Sequence, residues 1–207
     1  MELATSRTSP SEERLLMREL THRINNELAS AAGMISLAAS RSENAEAKAT
    51  LAAVMERLEN YTSVHRALQM PEQSTAVDVA AYLRQLCRSI SRSKLDRRNI
   101  SLVLTEHPVV LDSERCWLLG MIVYELITNA ARHAFDGDNG GEVRVEVAMS
   151  GAVIQCRVSD DGTAQREVRP GRGLRIIKDL AACLGGRFQQ HFGAQGSAAA
   201  VVFPAER

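Results

Sequence analysis

Four cysteines among 207 residues, one tryptophan, no net charge and no long apolar run mark this chain by what it lacks. Cys87, Cys116, Cys156 and Cys183 stand far apart, with no C-x-x-C pair. That spacing excludes a zinc-finger framework and a disulfide-stapled mini-domain, and leaves reduced, mostly buried thiols. The 25 Lys+Arg balance 25 Asp+Glu, which argues against a protein built to neutralise nucleic-acid phosphate. A basic run does exist, at Arg84, Arg88, Arg92, Lys94, Arg97 and Arg98, but little aromatic residue interleaves it, so it reads as a solvated helix face. The longest apolar stretch, Cys116 to Tyr124, is less than half of the roughly 20 residues needed to span a bilayer. The start, MELATSRTSPSEER, has no basic-then-apolar signal pattern. A cytoplasmic protein without a membrane span or nucleic-acid partner is therefore expected.

What is present is 45% hydrophobic content, ample for one large core or two small ones. Residues 1–10 are polar and read as a tail. From Ser11, Leu16, Leu20, Ile24, Ala31, Ile35 and Ala38 recur on one face of a long helix. SRSENAE (40–46) breaks it, and a second helix runs from about Ala47 to Leu68, closed by Pro71. Such a hairpin has too little to bury alone, so its stripe calls for a second copy and a dimeric four-helix bundle.

After Pro71 the texture becomes α+β. A helix is expected over Asp78–Ser93, a strand over Ile100–Thr105, and a helix capped by Ser113 reaching Phe135. Strands follow at Val143–Met149 and Val153–Ser159, turned at Ser150-Gly151. A last helix, Gly173–Leu184, ends at Gly185-Gly186, and a final hairpin (Phe188–Phe192, Ala198–Phe203) turns around Gly193 and Gly196. The strands are expected to be antiparallel, with few helices on one face. The division is thus a tail (1–10), a helical hairpin (11–72) and an α/β sandwich (73–207).

Four groups of residues carry chemistry. His22 lies nearly opposite the Leu20/Ile24 stripe, with Glu19 and Asn26 on roughly its own side. It is either an ordinary exposed histidine or a neutral imidazole nucleophile offered to a docking domain. Glu125, Asn129, Arg132 and His133 share one face of an otherwise apolar helix, where a carboxylate and an amide are costly unless they meet a ligand, metal or partner. Asn129 can give an oxygen to Mg²⁺, and Arg132 and His133 can meet phosphate; a hydrogen-bonded polar seam is the alternative. Asp160-Asp161-Gly162, at a strand end, can accept from an exocyclic amine or simply turn the chain. Gly171-Arg172-Gly173-Leu174 opens a helix whose free N–H groups suit phosphate. Gly196-Ser197 is the weakest signal.

In this order, the pieces resemble the transmitter core of a two-component sensor histidine kinase. ELTHRINNEL (19–28) resembles the H-R-x-x-N phosphoacceptor box of one branch, VYELITNAARHAF (123–135) its N box, and VSDDG (158–162) and GRGL (171–174) its glycine boxes. The resemblance covers about residues 14–204. It implies a dimerisation and phosphotransfer hairpin followed by a Bergerat-type ATP-binding domain of the gyrase kind. It further implies that His22 is phosphorylated from ATP, with Glu19 its nearest carboxylate, Arg23 beside the developing charge, and Asn26 facing a receiver. Asn129 would bind Mg²⁺ and Glu125 would work near the γ-phosphate. Asp160 would read adenine, with Arg132, His133, Gly162, Gly171, Gly173 and Leu174 around the nucleotide. The implied partners are a response-regulator receiver domain, a second copy of the chain, and a separate sensor. Ala164 stands where the branch has its second glycine, the lid is short, and no phenylalanine box is seen. These departures favour the alternative function, a histidine phosphotransferase whose nucleotide site has decayed. A non-catalytic ATP-binding regulator of the anti-sigma type is a third possibility, and the hairpin counts against it.

Overall fold

The computed structural model describes residues 10–71, 76–135, 140–163, 172–193 and 196–206. Of the expected tail at 1–10, residues 1–9 lie outside the described residues, as do Ala164 and Gly171, and Pro10 belongs to a helix instead. The chain divides into two compact units, Met1–Arg66 and Ala67–Arg207.

The first unit holds two long helices, α1 (Pro10–Arg41) and α2 (Ala45–Ala67). Pro10 opens α1, where its missing N–H removes no helical bond. The break between the helices is three residues, 42–44, shorter than the expected 40–46. Its polar residues are absorbed into the helix ends. Asn44 Oδ1 accepts from the Glu46 and Ala47 amides at 2.8 and 3.2 Å and so starts α2 early, while the Ser42 amide still donates to Ala38 O. Part of the apolar stripe stays wet within one chain: Leu20 is 54% and Ile24 44% exposed, and Val54 and Tyr61 of α2 are likewise exposed, while Ile35, Leu51 and Leu58 are half-buried.

The second unit is a five-stranded sheet in the order β2-β4-β5-β7-β6, with one buried face. The strands are β2 (Ile100–Glu106), β4 (Gly141–Ser150), β5 (Val153–Asp160), β6 (Arg187–Gly193) and β7 (Gly196–Pro204). The helices are α3 (Val79–Ile90), α4 (Ser113–His133) and α5 (Arg172–Cys183). Two short strands, β1 (Val77–Asp78) and β3 (Val110–Leu111), form a small antiparallel pair that sequence patterning had missed. Alternate residues Val143, Val145, Val147, Ile154, Cys156, Val158, Val201 and Phe203 are buried, as are Leu119, Ile122, Val123 and Ile127 of α4. Burying each such aliphatic side chain contributes roughly 1.5–3 kcal/mol.

The expectation of antiparallel strands throughout is wrong at one edge. β2 and β4 pair in parallel, Ile100 opposite Gly141 through Glu106 opposite Val147. The connection between them contains the whole of α4, and a crossover of that length returns the chain to the same end of the sheet. Helix boundaries also shift. Asp78 caps α3 from outside, accepting from the Ala80 and Ala81 amides. The helix gives way at Ser91 to a π-helical turn (Ser91–Leu95) and a 3₁₀ turn (Asp96–Arg98). Asp112, not Ser113, caps α4, accepting from the Arg115 amide, and α4 stops at His133.

Much of the basic run is spent on structure. Arg84 pairs with Glu106, and Lys94 Nζ bonds Tyr124 Oη at 3.1 Å. The Arg98 guanidinium donates to Ala131 O in the last turn of α4 and to Phe135 O just past it. Next to it, Asn99 takes a left-handed turn (φ 53°) and its carbonyl accepts from the Gly141 amide. Arg98 and Asn99 thereby tie the end of α4 to the start of β4.

Candidate functional site

In the second unit, the buried face of the sheet ends in a polar corner. Asp160 is the last residue of β5, and the register sets it opposite Ser197 on β7. Its Oδ2 accepts from the Ser197 hydroxyl at 2.5 Å, and its Oδ1 accepts from the Ser197 and Gly162 amides at 3.3 and 3.2 Å. Three donors fix the orientation of the carboxylate. The glycines around it are obligatory for space. A Cβ on Gly162 would lie 2.1 Å from Ala134 O, and one on Gly196 would lie 1.9 Å from Asp160 O. Gly196 also has a φ of 120°, which side-chain-bearing residues rarely adopt. Asp161 faces the other way: its Oδ1 accepts from the Glu142 amide at 2.8 Å, holding the corner to β4.

This corner opens into a cavity of about 260 Å³. Asn129, Arg132 and His133 from α4, Asp160 and Gly162, and Gly173 and Leu174 from α5 line it. Arg132 and His133 are exposed at the rim, whereas Asn129 and Glu125 are half-buried. Glu125 does not line the cavity itself. It stands one turn before Asn129 and faces the start of α5, where a Cβ on Gly173 would come 3.2 Å from Glu125 Oε2 and 3.6 Å from the Asn129 amide atoms. The absence of a side chain at Gly173 lets the N-terminal end of a helix approach a carboxylate and an amide.

The structure therefore gathers Asn129, Arg132, His133, Asp160, Gly162, Gly173 and Leu174 around one cavity, with Glu125 behind it. Gly171 lies outside the described residues. Ser197 is the residue that sequence reasoning undervalued, since Gly196-Ser197 read as the weakest motif. Its signal lay in strand pairing, which places it 37 residues from its partner.

His22 belongs to the other unit. It is exposed on α1, and the Asn26 side-chain amide lies 3.2 Å from its Nδ1, one turn on. Glu19 is engaged elsewhere: the Arg23 Nε donates to its Oε1 at 2.8 Å. Of the two polar neighbours singled out in the sequence, Asn26 meets the imidazole and Glu19 meets Arg23.

The chemistry of the cavity suits a purine nucleotide with a hard divalent cation. A carboxylate held by Ser197 can accept from an exocyclic amine. A helix start, the Arg132 guanidinium and the His133 ring at the rim can meet phosphate. Among the described residues, no group of three or more His, Cys, Asp or Glu is placed to hold a metal by itself. The Asn129 carbonyl with the nearby Glu125 is the kind of sparse oxygen set that Mg²⁺ uses when phosphates supply its other ligands.

Comparison with known proteins agrees with this geometry. A family model described as histidine kinase matches residues 19–94, and one described as histidine kinase-like ATPase domain matches residues 78–190. The chain is 30% identical over 174 residues to the sensor histidine kinase PdtaS of Mycobacterium tuberculosis, covering 79% of this chain and 34% of that protein. It thus spans about a third of that relative's length. Its fold is similar to the histidine kinase domain of the Erythrobacter litoralis EL346 blue-light activated histidine kinase, with a TM-score of 0.61 at 22% identity, covering 87% of this chain and 96% of that one. It is also similar in fold to a bacterial phosphotransferase, with a TM-score of 0.62 at 12% identity, covering 94% and 98%. No helix among the described residues is long and apolar enough to cross a membrane.

Proposed function

This chain belongs to the histidine kinase-like ATPase family and carries a histidine kinase transmitter core, and from that premise we propose that it phosphorylates His22 from ATP and passes the group to a receiver aspartate. The observation that carries this is the Asp160 carboxylate, fixed by Ser197 and Gly162 in the same cavity as Asn129. Such a preset acceptor belongs to a working base-binding pocket. A pocket decayed into a docking surface has no reason to keep it.

The roles follow from placement. Asp160 accepts from the amine of adenine, and Ser197 keeps it turned toward the base. Gly173 and the first turn of α5 lie against the phosphates, with Arg132 and His133 at the rim. Asn129 would hold Mg²⁺ through its carbonyl oxygen, and the ion would supply charge neutralisation to the phosphate oxygens. Glu125 stands where it can orient the reacting end. The His22 imidazole attacks the γ-phosphorus and the bond to the bridging oxygen breaks. ADP leaves with the electron pair, and the ring proton passes to solvent. In the second step a receiver carboxylate attacks the phosphorus, the P–N bond breaks, and His22 is regenerated. The Asn26 side-chain amide, beside Nδ1, limits rotation of the ring. Positioning and charge neutralisation supply most of the rate in such transfers. The wet stripe of α1 and α2 is covered by a second copy of the chain, making a four-helix bundle.

The second reading, a relay phosphotransferase, has the departure at Ala164 and the fold similarity to a phosphotransferase in its favour. Two donors separate the two. Offered γ-labelled ATP with Mg²⁺, the chain should take up acid-labile label and pass it to a receiver. Label taken only from a phosphorylated receiver, and none from ATP, would establish the relay instead.

A further inference from the structure

We infer that Phe192 is the wall against which the purine ring packs, a role that rests on the nucleotide reading of the cavity given above. The sheet register places it there. Asp160 is opposite Ser197 across β5 and β7, and Ser197 is opposite Phe192 across β7 and β6. Residues in one cross-strand row point to the same face, so the three side chains form a line along the cavity floor. All three line that cavity.

Phe192 is unusual on its own strand. The chain has four phenylalanines. Phe203 and Phe135 are buried in the core, and Phe188 is half-buried further along the same face of β6. Phe192 is 51% exposed, while Gln189, Gln190 and His191 before it are polar, as an edge strand requires. A large apolar ring left wet beside a carboxylate that reads an amine gives a base both its recognised edge and its apolar face. Stacking on an aromatic ring is indifferent to the base, so Asp160 selects among purines and Phe192 adds affinity without selecting.

The test is calorimetric titration of the full chain with ADP and, separately, with adenosine, without metal. Phe192→Ala should weaken both ligands by the same factor, about tenfold. Phe192→Tyr should stay within twofold of the parent. The melting temperature of Phe192→Ala should match the parent, because the ring it removes is exposed. In Phe192→Trp, indole emission should change on adding ADP. Two results would overturn the assignment: an adenosine affinity within twofold of the parent in Phe192→Ala, or loss of ADP affinity with adenosine unaffected. Asp160→Asn separates this from the premise. If the parent binds ADP and Asp160→Asn does not, the pocket stands and Phe192 alone is judged. If the parent binds neither ligand, the nucleotide reading falls and takes the assignment with it.

Discussion

The two units hold their polar residues in opposite ways. Around His22 the side-chain bonds run within α1, from Asn26 to His22 and from Arg23 to Glu19, each spanning one helical turn. Around Asp160 they span the fold, reaching Ser197 across 37 residues, while Arg98 holds the end of α4 across 33 and 37. The hairpin leaves Leu20, Ile24 and Leu37 wet, whereas the α/β unit buries a continuous core. One unit presents a side chain on a rod whose apolar stripe wants a partner. The other is a finished pocket. On the proposed function, an acceptor histidine has to be reachable by two different reagents, and a nucleotide has to be enclosed.

The largest expected effect tests the unfinished half. By light scattering the chain should have twice its monomer mass, and Leu20→Glu with Ile24→Glu should convert it to monomers. A monomeric parent would break the contrast, because the stripe would then be stable in water without a partner. The next test is aimed at the finished half. Gly196→Val forces a side chain onto the Asp160 carbonyl at a φ few residues tolerate, and should destabilise the unit by about 4 kcal/mol or more in denaturant unfolding. The analogous Gly33→Val on α1, where a Cβ meets nothing within 4 Å, should lack that clash.

The cysteines sharpen the same contrast by pH. Burial pushes the thiols of Cys87, Cys116 and Cys156 up to about 12 from an ordinary 9.0. Nearby negative charge adds to this, from Glu106 at Cys87 and from Asp112 and Asp78 at Cys116. Their folded pKa exceeds the unfolded one, so the stabilisation is complete below about pH 9 and is lost as pH rises toward 12. The slope is about 1.4 kcal/mol per thiol per pH unit. Unfolding free energies measured across that range should fall accordingly. Native alkylation at pH 8 should modify exposed Cys183 and spare the other three. The smallest effect is expected at the exposed pair on α1: Glu19→Ala should cost less than about 1 kcal/mol and leave the rate of His22 labelling nearly unchanged. A large loss of labelling would give Glu19 a part in the phosphorylation of His22.

How much of this was legible in the sequence divides along the same line. Helical spacing alone places Glu125, Asn129, Arg132 and His133 on one face, and sets His22 opposite the Leu20/Ile24 stripe. Those relations span a turn or two, where 3.6-residue geometry is nearly rigid. The strands and their turns at Gly151 and Gly193–Gly196 also show in alternation and glycine placement. What did not show depends on pairing between distant segments. Nothing local reveals that β2 and β4 run parallel, that Ser197 holds Asp160, or that Arg98 spends its charge on the carbonyls of α4. Charge counting made Arg98 part of a solvated face, because a basic residue beside a turn looks the same whether it meets water or a helix end.

The most direct test follows acid-labile phosphoryl incorporation from γ-labelled ATP with Mg²⁺ in the parent chain, His22→Ala and Asp160→Asn, alongside the ATP affinity of each. The parent should become labelled. His22→Ala should bind ATP as tightly as the parent and take no label, and Asp160→Asn should lose both binding and label. Label appearing on His22→Ala, or a parent chain that binds ATP and never becomes labelled, would contradict the division of labour between the pocket and the exposed histidine.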